Sequence, residues 1–165
     1  MLLIPFLLMA CDPASDDACK AAAAQGPELT LGTGETSFVS LADGDRVGWD
    51  YGSQGGQHVW AALRVKGIVQ GLSSSIAVEG NPLVSMKLKS DGERLGELGE
   101  TPHFFTVYLD GTWEFVGDRV VIEEGGDTGL RTDLHEKQVT LSATLTDACG
   151  TKLEKSVELI LDGNE

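Results

Sequence analysis

Along residues 139–146 the side chains alternate strictly, with Val139, Leu141, Ala143 and Leu145 apolar and Thr140, Ser142, Thr144 and Thr146 polar between them. A strand points successive side chains to opposite faces, so this spacing predicts a strand with one face in a core. Val157, Leu159 and Leu161 repeat the pattern after a turn, which predicts an antiparallel hairpin. Upstream, Val59, Ala61, Leu63, Val65 and Val69 share one face of a strand over 58–69, and His58, Trp60, Arg64 and Lys66 share the other. Val47, Trp49 and Tyr51 alternate ahead of the loop Gly52-Ser53-Gln54-Gly55-Gly56, so 46–69 reads as a hairpin with a loose turn. Shorter runs predict further strands at Ile76 and Val78, at Val84, Met86 and Leu88, and at Phe105, Val107 and Leu109. Residues 113–116 are expected to pair with 119–123 across Gly117-Asp118.

From Glu28 onward no stretch has helical period, and the parallel sheets that need helical crossovers are thereby disfavoured. Roughly eight to ten short strands at this turn spacing predict an all-β, two-sheet antiparallel β-sandwich. At the last hairpin, alternating Thr and apolar residues run into Asp147, then Gly150, then Val157 and Leu159. This resembles the closing strands of bacterial immunoglobulin-like domains and implies an immunoglobulin-like sandwich over residues 28–165. The stretch Gly55-Gly56-Gln57-His58-Val59-Trp60 resembles bacterial lipoproteins of similar build, a likeness that brings no activity with it.

The chain's opening changes the picture. Residues 1–10 carry no charge and are too few to span a bilayer, which needs about 20 apolar residues. They end Leu8-Met9-Ala10-Cys11, and this resembles the lipobox of bacterial lipoproteins, with Leu at −3 and a small residue ahead of a Cys that becomes lipidated. The resemblance implies a signal peptide over 1–10, an acylated Cys11, and a bacterial cell-envelope protein anchored to the inner or outer membrane and facing the periplasm or the exterior. Without a Lys or Arg ahead of the apolar run, a start upstream of Met1 is expected. The competing reading is a buried first element with a free Cys. Residues 11–27 lack large apolar side chains and form a tether or a short helix, capped at Asp12 with Pro13 at its first position. Once Cys11 is acylated, Cys19 and Cys149 remain, and an extracytoplasmic compartment permits their disulfide. A free buried Cys149 with a loose Cys19 is the alternative.

Charge narrows the partners. Twelve Lys and Arg against 26 Asp and Glu give a net charge of −14, which repels nucleic-acid phosphates and anionic headgroups. Hydrophobic residues at 41% with 21 glycines fit a folded chain rich in turns. The sequence contains no GxSxG, SxxK, HExxH or phosphate-loop motif, so no catalytic role and no resident cofactor are predicted. Ser73-Ser74-Ser75 reads as turn or strand-edge material, and His58, His103 and His135 lie too far apart in the chain for a zinc motif. Asp43, Asp45 and Asp50, and the acidic run Glu123-Glu124-Gly125-Gly126-Asp127, offer oxygen ligands for calcium without matching its full loop pattern. Trp60, with His58 and Arg64 on the same face, is the candidate for a ligand or glycan patch, and Trp49 and Tyr51 are candidate neighbours. The leading expectation is a membrane-anchored structural or binding module. A calcium-dependent or carbohydrate-binding module is the alternative, and an enzyme built from loops 90–103 and 124–136 is the third reading.

Overall fold

The computed structural model describes residues 14–53, 55–71, 80–108, 111–123 and 130–163. The expected signal peptide, Cys11, the Asp12-Pro13 cap, the strand at Ile76 and Val78, the serine run, Leu109 and the acidic residues 124–127 lie outside them. Among the described residues one helix, α1 (Asp16–Ala23), precedes ten strands: β1 (Glu28–Thr33), β2 (Val39–Ser40), β3 (Asp45–Tyr51), β4 (Gln57–Lys66), β5 (Leu83–Ser90), β6 (Glu93–Pro102), β7 (Thr106–Val107), β8 (Trp113–Ile122), β9 (Lys137–Thr146) and β10 (Lys152–Gly163).

The strands form one sheet, and that sheet closes on itself. Its order runs β4-β3-β10-β9-β5-β6-β8, and β8 pairs back onto β4. With β1, β2 and β7 outside the ring, seven of the ten strands form a closed barrel. This corrects the immunoglobulin-like sandwich, which would need two sheets with separate edges. The reason lies in strand length and bending. β4 and β8 have ten residues each, and their ladder is interrupted between Ala61 and Leu63, where Val116 and Gly117 stand opposite Ala62. Two further irregularities bend β5 against β6. Bulges increase local twist and let long strands curl into closure.

Gly117 therefore serves a bulge and not the expected hairpin turn, and β8 runs straight through it. Its φ of 80° suits glycine, its N–H donates to the Gly34 carbonyl at 3.1 Å, and an added Cβ would sit 2.5 Å from the Glu35 carbonyl oxygen. The strand expected over 58–69 ends at Lys66, because Gly67 turns the chain and places Ile68 rather than Val69 in the core. β6 was not anticipated, since Gly96, Gly99 and its charged residues break the alternation. At Gly96 the neighbouring strand comes so close that a Cβ would meet the Val121 carbonyl oxygen at 2.4 Å. Phe105 is fully buried while Val107 is 66% exposed on the short edge strand β7, so the two do not share a core-facing strand.

Elsewhere the inward faces follow the alternation. Val59, Ala61, Leu63 and Val65 of β4, Val84, Met86 and Leu88 of β5, Val139, Leu141, Ala143 and Leu145 of β9, and Val157, Leu159 and Leu161 of β10 are all buried. β9 and β10 form the expected antiparallel hairpin, whereas β10 runs parallel to β3 on its other side. At the hairpin turn the buried Asp147 carboxylate accepts the N–H groups of Cys149 and Thr151 through Oδ1 and that of Val69 through Oδ2. One side chain thus closes the turn and fastens the segment after β4 to it.

The helix α1 begins at Asp16 and not at the expected Pro13: its cap is Ser15, whose Oγ accepts the Ala18 N–H, and it carries Asp16 and Asp17 in its first turn. Cys19 of this helix is disulfide-bonded to Cys149, with Cα atoms 5.6 Å apart. Among the described residues no helix is long and apolar enough to cross a membrane.

Candidate functional site

The site begins with the β3–β4 hairpin. Asp50 pairs with His58 and Tyr51 with Gln57, and the loop between them is tightened by Gly52 N–H to the Gly56 carbonyl and Gly55 N–H to the Gly52 carbonyl. His58 is on the outward face of β4 yet only 3% exposed. The hairpin loop covers it, and a Cβ on Gly52 would stand 3.4 Å from the Gly56 carbonyl oxygen and 4.0 Å from His58 Nδ1. Burial, and then the nearby Arg119, hold the His58 imidazole below its ordinary pKa, against the opposing pull of Asp50 and Glu35. It is therefore neutral near pH 7, and its Nε2 is buried with no hydrogen-bond partner among the described residues.

Two residues along the same face, the Trp60 indole meets His58 edge-on, with centroids 4.7 Å apart, and donates its Nε1–H to Asp50 Oδ2 at 2.9 Å. From β8, opposite Trp60, Arg119 lays its guanidinium 5.0 Å from the indole centroid. Gly52, Ser53 and Gly56 of the loop, together with His58, Arg119 and Val121, line a cavity of about 300 Å³. Gln57, also on its wall, exchanges two hydrogen bonds with the backbone of Arg131 and holds that segment beside the hairpin.

The expected patch is thus split. His58 and Trp60 come together, but Arg64 belongs to a second cluster near the other end of β4. There its guanidinium pairs with Glu114 and lies between the Phe38 and Tyr108 rings, 4.3 and 4.7 Å from their centroids. Trp49 and Tyr51 contact each other edge-on at 5.2 Å, and Trp49 packs against the core. Arg119 was missed: nothing local marks it, and only the β4–β8 pairing sets it beside Trp60.

The three calcium candidates do not converge. Asp43 Oδ1 accepts the Glu158 N–H, Asp45 Oδ2 accepts the Ala42 N–H, and Asp50 holds Trp60. Among the described residues the one group with metal-ligand proximity is His135, Glu136 and Asp162, and Arg46 already bridges its two carboxylates. His103, 6% exposed, has Nε2 2.8 Å from Thr101 Oγ1 and 3.4 Å from Asp118 Oδ2. Burial depresses its pKa against the opposing Asp118 charge.

No family model matches the chain, and no curated protein matches it. Among solved structures, the CooA pilin subunit from enterotoxigenic Escherichia coli is similar at 12% identity over 82% of this chain and 99% of that chain, with a TM-score of 0.28. Similarity at that level carries no argument about fold or function.

Proposed function

We propose that this chain is a lipid-anchored, non-catalytic binding module of the bacterial envelope, with its binding site at the β3–β4 hairpin. The observation that carries the reading is the cavity of about 300 Å³ at this hairpin, where Gly52, Gly56, His58 and Val121 meet an Arg119 guanidinium set over the Trp60 indole. Concave sites with a few convergent polar groups are where small ligands bind. The lipobox-like Leu8-Met9-Ala10-Cys11 supports the anchoring, and acyl chains on Cys11 would hold the domain to a membrane durably where a single chain would not. The disulfide at Cys149 and the cavity lie toward opposite ends of β4, a strand of ten residues or about 30 Å by strand rise. A tether docked at one end therefore leaves the cavity end free to meet a ligand.

Palmitate labelling and detergent-phase partitioning of the wild type and Cys11→Ser test the anchor. Labelled, detergent-partitioning wild type and unlabelled, aqueous Cys11→Ser are expected; an unlabelled wild type that keeps residues 1–10 overturns it. The binding site is tested by following the Trp60 indole N–H resonance against a panel of small carboxylates and methyl glycosides. Saturable movement with any member supports the site, and no movement with any member overturns it.

A further inference from the structure

We infer that the Cys19–Cys149 disulfide is a redox-controlled latch on the membrane tether, which keeps the barrel joined to Cys11 by a second covalent route until a dithiol reductant opens it. This rests on the anchoring at Cys11 proposed above, while the latch itself is argued from α1 and the β9–β10 turn.

The first ground is connectivity. From Cys11 toward the barrel the chain passes Cys19, then Lys20 to Pro27, and then enters β1. The disulfide leaves this path at Cys19 and joins the barrel at Cys149, between β9 and β10. The stretch from Lys20 to Pro27 is therefore bridged, and a cut within it leaves the barrel bonded to Cys11 through Cys19. With the disulfide reduced, the same cut sets the barrel free. Every residue of that stretch except Ala22 is exposed, and exposed segments of small and polar residues are where proteases nick folded domains.

The second ground is how little else holds α1. Of its eight described residues only Ala22 is buried. A helix this short is marginal in water without tertiary packing, and one methyl group supplies little of it. The helix nevertheless shields the stretch, because its backbone is engaged, Cys19 N–H to the Ser15 carbonyl and Ala24 N–H to the Lys20 carbonyl, both at 3.0 Å. Reduction thus removes the bridge and also unwinds the segment that a protease must thread.

The third ground is that the barrel's side of the latch stands without the bond. Asp147 takes the N–H groups of Val69, Cys149 and Thr151, so the turn that presents Cys149 is held by its own hydrogen bonds. Pro27 packs on Gly67, where an added Cβ would meet its N at 2.7 Å, so the chain stays fixed at the start of β1. Cys19 and Cys149 are both partly exposed, within reach of a reductant. The thiolate of a dithiol attacks one sulfur and expels the other as a thiolate. The second thiol then resolves the mixed disulfide, so that two electrons and two protons pass to Cys19 and Cys149 and the reductant is left as its own disulfide.

The test uses the acylated full-length protein in membranes, treated with a protease that cuts after lysine, with and without prior dithiothreitol. Cleavage at Lys20–Ala21 is assigned by mass, and the barrel is followed between pellet and supernatant. Without dithiothreitol the barrel is expected in the pellet whether or not Lys20 has been cut; after reduction it should pass to the supernatant, with cleavage at Lys20 faster by about tenfold or more. Cys19→Ser/Cys149→Ser should behave as the reduced protein does. Release of the barrel by the Lys20 cut in unreduced membranes overturns the latch, and so does a reduced protein whose Lys20 is cut no faster. A wild type found in the supernatant before any treatment overturns the anchoring instead. The latch is then read on that soluble protein by amide exchange: reduction should free the Cys19 and Ala24 amides while β9 and β10 stay protected, and continued protection of α1 would overturn the latch as well.

Discussion

Asp50 Oδ2 accepts the indole N–H of Trp60 at 2.9 Å, tying the end of β3 to the outer face of β4. The same carboxylate is one of the charges that His58 feels, so a single acidic residue both positions the indole and moderates the imidazole. Asp50→Ala should destabilise the fold by about 1–3 kcal/mol, because a part-buried donor loses a charged acceptor. Asp50→Asn, which keeps an acceptor, should lose less. Urea unfolding followed by tryptophan emission checks both; equal losses for Ala and Asn would mean the bond does not contribute.

Leu63 is fully buried on the inward face of β4, and Trp60 is half-buried on the outward one. Leu63→Ala should cost about 2–5 kcal/mol. Trp60→Ala removes contacts on the outer face, with His58, Arg119 and Asp50, and should cost less, measured in the same unfolding series.

Asp147 satisfies three backbone N–H groups from a position 5% exposed. Asp147→Ala leaves all three without their acceptor and should cost about 2–4 kcal/mol. Amide hydrogen exchange should then accelerate at Val69, Cys149 and Thr151 before it does in the centres of β9 and β10.

Reducing the disulfide should loosen α1 and lower stability. The bond spans 130 residues of sequence. In the chain-entropy account such a loop contributes up to about 4–5 kcal/mol, or a drop of about 10–20 °C in melting midpoint for a domain of this size. Calorimetry of Cys19→Ser/Cys149→Ser checks the value, and alkylation of the unreduced, denatured wild type should leave Cys19 and Cys149 unmodified.

Acid should weaken the fold in two stages. His58 faces Asp50, Arg119 and Glu35, His103 faces Asp118, and both imidazoles have pKa values depressed by burial from an ordinary 6.5. A group with a lowered folded pKa binds protons more readily in the unfolded chain, so stability is lost as pH falls below about 6.5. Glu28, Asp133 and Glu136 are held below the ordinary carboxylate range by Lys66, by Arg131 with Lys137, and by Arg46. Their contributions are lost only at more acidic pH. Melting midpoints at pH 7.5 and 5.5 should differ for the wild type and differ less for His58→Gln.

What the sequence determined by itself is which side chains of β4, β5, β9 and β10 face the core, and where the last hairpin turns. A strand's side-chain period is set by its own backbone, and Asp147 closes its turn with amides two and four residues on, so both are local properties. Only the tertiary structure decided that the sheet closes. That depends on β8 returning to β4 and on β3 lying parallel to β10, pairings between segments far apart in the chain. The same long-range register turned Gly117 from an expected hairpin into a bulge and revealed β6, whose glycines admit a close neighbour instead of marking a loop. It also sent Arg64 to Glu114 and brought Arg119 to Trp60, because which residues meet across a sheet is fixed by strand pairing and not by spacing along the chain.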